Sequence, residues 1–191
     1  MHKITGPAVS AHRAAQRAAL IHAGEEVLLD AGLPGFSPGS VTARAGIARS
    51  TFYDYFPSKD DLLVAISIAA MERWNAEIEE EMGLAEPGVA QLRAFVSATM
   101  RMTADGKHEL AGIVREADLA PSAVADLMVL HDVLFRPAIR VLTGLGMQGS
   151  STFVALVHGV LGAGVELVGH GAQWEKVSDD VFNMLTRGLV N

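Results

Sequence analysis

Cysteine is absent from the 191-residue chain, and its absence excludes disulfide bonds and thiolate metal sites. A reducing compartment agrees with this, so we expect a cytoplasmic protein. Residues 1–19 lack the apolar run of a secretory signal peptide. The most apolar stretch, Phe153 to Val168, is short for a bilayer span and contains His158, Glu166 and several glycines. We therefore expect a soluble protein with no membrane partner.

Positive charge is also scarce, since the formal net charge is −7. Taken alone, this value argues against nucleic-acid binding. The charge is unevenly distributed, however: residues 1–60 carry six Lys/Arg against five Asp/Glu, whereas residues 61–191 carry nine against seventeen. Because distribution matters more than the sum, the N-terminal end is the part suited to DNA. With so few basic groups, we expect a modest salt dependence of binding.

A helix-turn-helix pattern occupies residues 36–63, FSPGSVTARAGIARSTFYDYFPSKDDLL. Ser37 is a good N-cap for a helix with Pro38 at its first position, where a missing N–H costs nothing. Gly46 supplies the backbone freedom that a sharp turn between two packed helices needs. Ser58 is placed to cap the next helix. The spacing therefore predicts two short helices around a tight turn.

The second of these helices, roughly residues 49–56, carries mostly polar side chains. Phe52 and Phe56, four residues apart, are its clear buried anchors, and Pro57 stops it. The remaining side chains are free to face outward. We therefore predict that this helix is presented to a partner, as in helix-turn-helix DNA-binding proteins.

At these residues the sequence resembles the TetR family of transcriptional regulators. The motif appears without gaps as Ala45-Gly46-Ile47, Thr51-Phe52-Tyr53, Tyr55-Phe56 and Ser58-Lys59, ending at Leu62, and the resemblance covers about residues 14–66. It implies that Tyr53 and Lys59 contact backbone phosphates of operator DNA. It also implies that Arg49, Ser50, Thr51 and Tyr55 lie along the groove-facing side. Thr42 and Arg44, at the end of the preceding helix, are weaker phosphate candidates.

The remainder of the chain reads as helical, so the fold class is predicted to be all-α with about nine helices. We predict a helix-turn-helix DNA-binding domain at 11–58 and a helical effector-binding and dimerisation domain at 59–191, with a connecting helix at 59–82. Residues 1–10 read as a loose arm. The first helix should run from about 11 to 31 and end at Gly32. A long helix at about 122–142 should be kinked by Pro137.

The TetR resemblance implies an effector cavity among the helices of the second domain. An apolar cavity of this kind would suit a small hydrophobic ligand. The alternative is that the same side chains simply form the core. Candidate lining residues are Trp74, Phe95, Met100, Met102, His108, Met128, His131 and Phe135.

The family dimerises through its last two helices, which implies a homodimer interface at about 152–169 and 176–189 here. Gly159, Gly162 and Gly164 lie inside the first of these helices, and such glycines suggest close helix approach. Packing within one chain is the alternative explanation for them.

Together with these patterns, the resemblance to the TetR family implies a ligand-responsive repressor that binds palindromic double-stranded operator DNA and is released by a small molecule. We expect no cofactor, no metal and no catalytic residues, because the seven histidines show no zinc or di-iron spacing. Two other classes remain open. One is a small helical-bundle enzyme, which would need converging carboxylates or a metal site. The other is a helical ligand-binding or scaffold module without a DNA site.

Overall fold

A computed structural model of the protein describes residues 7–107, 109–147 and 149–187. Every regular element in these ranges is helical, which confirms the all-α class. The elements are α1 (Pro7–Gly35), α2 (Pro38–Ala45), a 3₁₀ segment (Arg49–Asp54), α3 (Lys59–Gly83), α4 (Val89–Ala104), α5 (Glu109–Arg115), α6 (Pro121–Leu134), α7 (Arg136–Gly144), α8 (Ser151–Gly169) and α9 (Trp174–Arg187).

The helices form two compact units. The first unit comprises the chain up to Ala70 together with Glu109–Leu127, and the second comprises Met71–His108 together with the chain from Met128 onward. The division between a DNA-binding domain and an effector-binding domain at 58/59 remains a prediction. The compact units divide the chain elsewhere, because the first unit includes part of α3 and all of α5. A three-helix motif has little core of its own, which explains why it recruits further helices.

The core of the first unit joins residues that are distant in sequence. Leu20 and Leu28 of α1, Phe52 of the 3₁₀ segment, and Leu62 of α3 are all completely buried. Val114 of α5 completes the same cluster. The position of the 3₁₀ segment is therefore fixed by the whole unit and not by its local sequence alone.

The second unit is built around α4. Its residues Leu92, Phe95 and Met100 are at most 1% exposed, and α7, α8 and α9 pack against this helix. Gly164 of α8 shows how closely the helices approach, since a Cβ placed there would lie 2.6 Å from Cε of Met100. This glycine accordingly serves packing within one chain.

Three local predictions need correction. The first helix begins at Pro7, so residues 7–10 belong to it and are not a loose arm; residues 1–6 of the predicted arm lie outside the described residues. The predicted long helix is interrupted at Phe135, and Pro137 lies in the first turn of α7, where its missing N–H is harmless. The helix at 49–56 is a 3₁₀ helix over Arg49–Asp54, with no side-chain cap at Ala48.

Candidate nucleic-acid interface

The first helix of the motif, α2, begins with a reciprocal cap. The backbone N–H of Ser40 donates to Oγ of Ser37 at 3.1 Å, and the N–H of Ser37 donates to Oγ of Ser40 at 3.0 Å. Pro38 follows at the first helical position. Two otherwise unpaired donors of the helix terminus are thus satisfied. The predicted N-terminus of α2 is confirmed.

The turn after α2 depends on Gly46, whose φ of 66° and ψ of 29° lie in the left-handed region. Its N–H donates to the carbonyl of Ala43 at 3.3 Å, and the N–H of Ile47 donates to the carbonyl of Thr42 at 3.0 Å. A side chain at position 46 would meet nothing within 4 Å, so the glycine is needed for its backbone conformation and not for space.

The 3₁₀ segment is held down by two phenylalanines, as predicted. Phe52 is 0% exposed and Phe56 is 2% exposed, with their ring centroids 5.9 Å apart. The N–H groups of both Tyr55 and Phe56 donate to the carbonyl of Phe52 at 3.0 Å. With one face anchored in the core, the opposite face of the segment is directed to solvent.

Within this segment Arg49, Ser50 and Tyr53 are exposed, and Thr51 is partly buried. The Tyr53 side chain is 58% exposed, and its ring stands edge-on to Phe52 with centroids 5.3 Å apart. The ring is therefore oriented by a buried neighbour while its hydroxyl remains accessible. The structure thus exposes a cation, a hydroxyl and a phenol within one six-residue segment.

Lys59 is exposed at the first position of α3, immediately after a capped helix start. Oγ of Ser58 accepts from the N–H of Asp61 at 3.2 Å and donates to the Asp61 carboxylate at 2.6 Å, so Ser58 is the N-cap that the sequence predicted. A helix N-terminus favours anions, and a lysine there adds to that preference. The same first turn also carries the acidic Asp60 and Asp61, so the phosphate contact of Lys59 stays a prediction.

Tyr55 is placed differently from the other predicted contacts. Its hydroxyl donates to Oε1 of Gln16 at 2.5 Å, and the Arg13 guanidinium lies 5.3 Å from the centroid of its ring. The side chain is only partly exposed. Tyr55 therefore faces α1, and Gln16 is a contact that sequence reasoning missed, because a pairing across 39 positions leaves no local pattern.

The two weaker phosphate candidates are already engaged in the fold. Thr42 is 2% exposed and its hydroxyl donates to the carbonyl of Pro38 at 2.7 Å, so the fold leaves little of it available to a phosphate; its contact with DNA stays a prediction. Arg44 lies 2.9 Å from the carboxylate of Asp30 and 3.6 Å from that of Glu26. The hydrogen bond to Asp30 raises the pKa of Arg44. The same ion pair joins α2 to α1.

The predicted effector residues that are described belong to the core of the second unit. Each of these five side chains is buried: Trp74, Phe95, Met100, Met102 and Phe135. His108 and the side chains of Met128 and His131 lie outside the described residues. The structure thus brings five candidates together in one apolar cluster, which agrees with both interpretations made from the sequence, cavity lining and core.

The predicted dimer helices present an apolar outer face. Leu156 and Leu167 of α8 and Met184 of α9 are 53%, 56% and 57% exposed, respectively. A Cβ added at Gly159 or Gly162 would meet nothing within 4 Å. α8 is long and apolar enough to cross a membrane, with a mean hydropathy of 1.7. In the chain, 28% of its apolar window is buried. Its outer side is therefore uncovered in a single protomer.

Known proteins share this sequence pattern. The pattern that defines "Bacterial regulatory proteins, tetR family" matches residues 20–66. The HTH-type transcriptional repressor LfrR of Mycolicibacterium smegmatis is 27% identical over 98% of this chain and 97% of its own. The fatty acid metabolism regulator protein of Bacillus subtilis is 25% identical over 68% of this chain and 66% of its own.

Solved structures share the fold. LfrR from Mycobacterium smegmatis, in complex with proflavine, has a TM-score of 0.56 and 23% identity, over 94% of this chain and 99% of that one. AibR, in complex with isovaleryl coenzyme A and operator DNA, has a TM-score of 0.63 and 16% identity, over 88% of this chain and 97% of that one.

A helix-turn-helix with an outward polar segment, joined to a larger helical unit, defines a transcriptional regulator of the helix-turn-helix class. Residues 20–66 carry the pattern of the TetR family of transcriptional regulators, and over nearly its whole length the chain is similar to the repressor LfrR.

Proposed function

We propose that the protein is a cytoplasmic homodimeric repressor that binds palindromic operator DNA and leaves it when a small hydrophobic molecule binds. The observation that carries this proposal is the exposed face of the 3₁₀ segment. Buried Phe52 and Phe56 anchor the segment, while Arg49, Ser50 and Tyr53 are exposed to solvent. The guanidinium, hydroxyl and phenol groups that are exposed here match what a major groove accepts.

Within this interface we assign separate roles by chemistry. Tyr53 and Lys59 contact phosphates, because a phenol and a lysine at a helix N-terminus fix position without reading sequence. Arg49, with Ser50 and Thr51, reads base edges, since guanidinium and hydroxyl groups match the donors and acceptors of the groove. Arg44 would contact a phosphate only after its ion pairs with Asp30 and Glu26 are broken.

Dimerisation supplies the second half-site. The uncovered apolar face of α8 and α9, with Leu156, Leu167 and Met184, supports an interface there. Two copies related by a two-fold axis would present two 3₁₀ segments to successive major grooves, about 34 Å apart or a multiple of that distance. A palindromic operator follows from this symmetry.

The effector is proposed to enter the second unit. The apolar cluster around Phe95 contains Met100 and Met102, whose flexible thioether side chains can move aside for a ligand. Thr99 in the same helix is 2% exposed, and its hydroxyl has no hydrogen-bond partner among the described residues. A hydrophobic ligand with one polar group would satisfy this hydroxyl.

Release from DNA then follows as a population shift. The ligand must bind more tightly to a state in which the two helix-turn-helix domains are not at major-groove spacing than to the DNA-competent state. A preference of about 10⁴-fold, or about 5.5 kcal/mol, would reverse a 99:1 population. The proflavine complex of the TetR-like regulator LfrR, and the isovaleryl coenzyme A complex of AibR, which shares the fold, support this proposal.

The test is a gel-shift assay with the DNA immediately upstream of the protein's own gene. Wild type should bind, and both Tyr53→Phe and Lys59→Ala should weaken binding, because each removes a phosphate contact. Tyr53→Phe keeps the edge-on ring contact with Phe52, so a loss of binding would report the hydroxyl alone. Full binding by both variants would show that the phosphate assignment is wrong.

A further inference from the structure

The 3₁₀ segment is held by more than its two phenylalanines. Two polar side chains of α1, Arg13 and Gln16, reach its C-terminal end. Nη2 of Arg13 donates to the backbone carbonyl of Asp54 at 2.9 Å, and the same guanidinium lies over the Tyr55 ring. Gln16 accepts the Tyr55 hydroxyl at 2.5 Å. All of these contacts fall on two consecutive residues.

The chemistry of these contacts is that of a clamp. A carbonyl at the end of a short 3₁₀ helix lacks an intrahelical donor, and a charged donor satisfies it strongly. The next side chain, Tyr55, is restrained by two contacts. Its ring lies beneath the Arg13 guanidinium, and its hydroxyl donates to the amide oxygen of Gln16. Arg17, one turn farther along α1, lies over the Phe56 ring at 5.2 Å and extends the contact surface.

From these contacts we infer that Arg13 and Gln16 are positioning residues that fix the angle of the 3₁₀ segment against DNA. Tyr55 is the side chain that they hold and is not itself a DNA contact. This inference rests on the proposed function, and it changes the role of one residue in it. The motif places Tyr55 on the groove side, whereas the structure turns its hydroxyl toward α1.

A double-mutant cycle on operator affinity separates the two roles of Tyr55. Gln16→Ala and Tyr55→Phe each remove one end of the same hydrogen bond, so each should weaken binding about 3- to 10-fold per half-site. The double variant should be no weaker than either single variant, because the bond is already lost. Losses that multiply in the double variant, or no loss in either single variant, would overturn the inference.

Amide hydrogen exchange tests the clamp without DNA. In both single variants, exchange at the Tyr55 and Phe56 amides, which donate to the Phe52 carbonyl, should be several-fold faster, and exchange in α9 should be unchanged. If wild type fails to bind its upstream DNA while this acceleration is seen, the proposed function fails and the clamp stands. Unchanged exchange would contradict the clamp.

Arg13 needs a readout that separates positioning from direct phosphate contact. Arg13→Met should weaken operator binding with an unchanged salt dependence, because the guanidinium is engaged by Asp54 and Tyr55. Arg13→Lys should rescue little, since an ammonium cannot both stack on the ring and reach the carbonyl. Arg17→Met is the matched control and should weaken binding less. A slope reduced by about 0.9 per half-site in Arg13→Met would assign Arg13 to a phosphate and overturn the inference.

Discussion

The outer face of α8 and α9 offers the most quantitative test of the proposed dimer. Leu156 and Leu167 are each more than half exposed in the protomer, at 53% and 56%. If a second copy covers this face, replacing either leucine by serine removes apolar surface that only dimerisation buries. Folding of the protomer should change little, because neither side chain belongs to its core.

The magnitude follows from the exposed fractions. Burying a whole leucine side chain contributes about 1.5–3 kcal/mol, so covering the exposed half contributes about 1 kcal/mol. A two-fold axis places each substitution in the interface twice, which gives about 2 kcal/mol per variant. The dimer dissociation constant of Leu156→Ser or Leu167→Ser should therefore rise about 30-fold. The double variant should rise by about three orders of magnitude if the sites act independently.

Sedimentation equilibrium over a range of protein concentrations measures these constants directly. Leu84→Ser is the matched control, since Leu84 is 86% exposed but lies outside α8 and α9. It should leave the dissociation constant unchanged. If both α8 variants dimerise as tightly as wild type, or if Leu84→Ser weakens the dimer as much, the proposed interface is wrong.

Two further predictions concern the stability of the first unit. Phe52→Ala should lower its free energy of unfolding by about 3–5 kcal/mol, because the ring is fully buried, and Phe52→Leu should lower it much less. Urea denaturation of both variants measures these losses, and similar losses in the two variants would contradict the prediction. Gly46→Ala should lower the free energy of unfolding by about 1–2 kcal/mol, because position 46 has a φ of 66°, and Gly46→Asn should lower it less, since asparagine tolerates this region. Equal melting temperatures of wild type and Gly46→Ala would refute this argument from backbone conformation.

Features set by neighbouring residues were predictable from the sequence. The Ser37-Pro38 start, the Gly46 turn and the Phe52–Phe56 anchors follow from local hydrogen-bonding, backbone and packing rules, and the structure has all of them. These features fix where the 3₁₀ segment lies in the chain and which side it buries. They were sufficient to indicate the class of protein.

Features set by distant residues were not predictable. The Tyr55–Gln16 bond and the Arg44–Asp30 pair join helices whose packing angle no local pattern encodes. Thr42 seemed a surface residue by type, yet the turn of α2 directs it inward onto the Pro38 carbonyl. Likewise Pro137 was predicted to kink one long helix, whereas it lies in the first turn of a separate helix, α7.

The dependence of operator affinity on salt tests the central claim most directly, because it counts phosphate contacts. Lys59→Ala is compared with wild type and with Lys107→Ala, a lysine of the second unit whose side chain is 43% exposed and which lies outside α8 and α9. If Lys59 binds a phosphate in each half-site, the slope of log K against log salt should fall by about 0.9 per half-site in Lys59→Ala alone. An unchanged slope in Lys59→Ala, or the same fall in Lys107→Ala, would contradict the account.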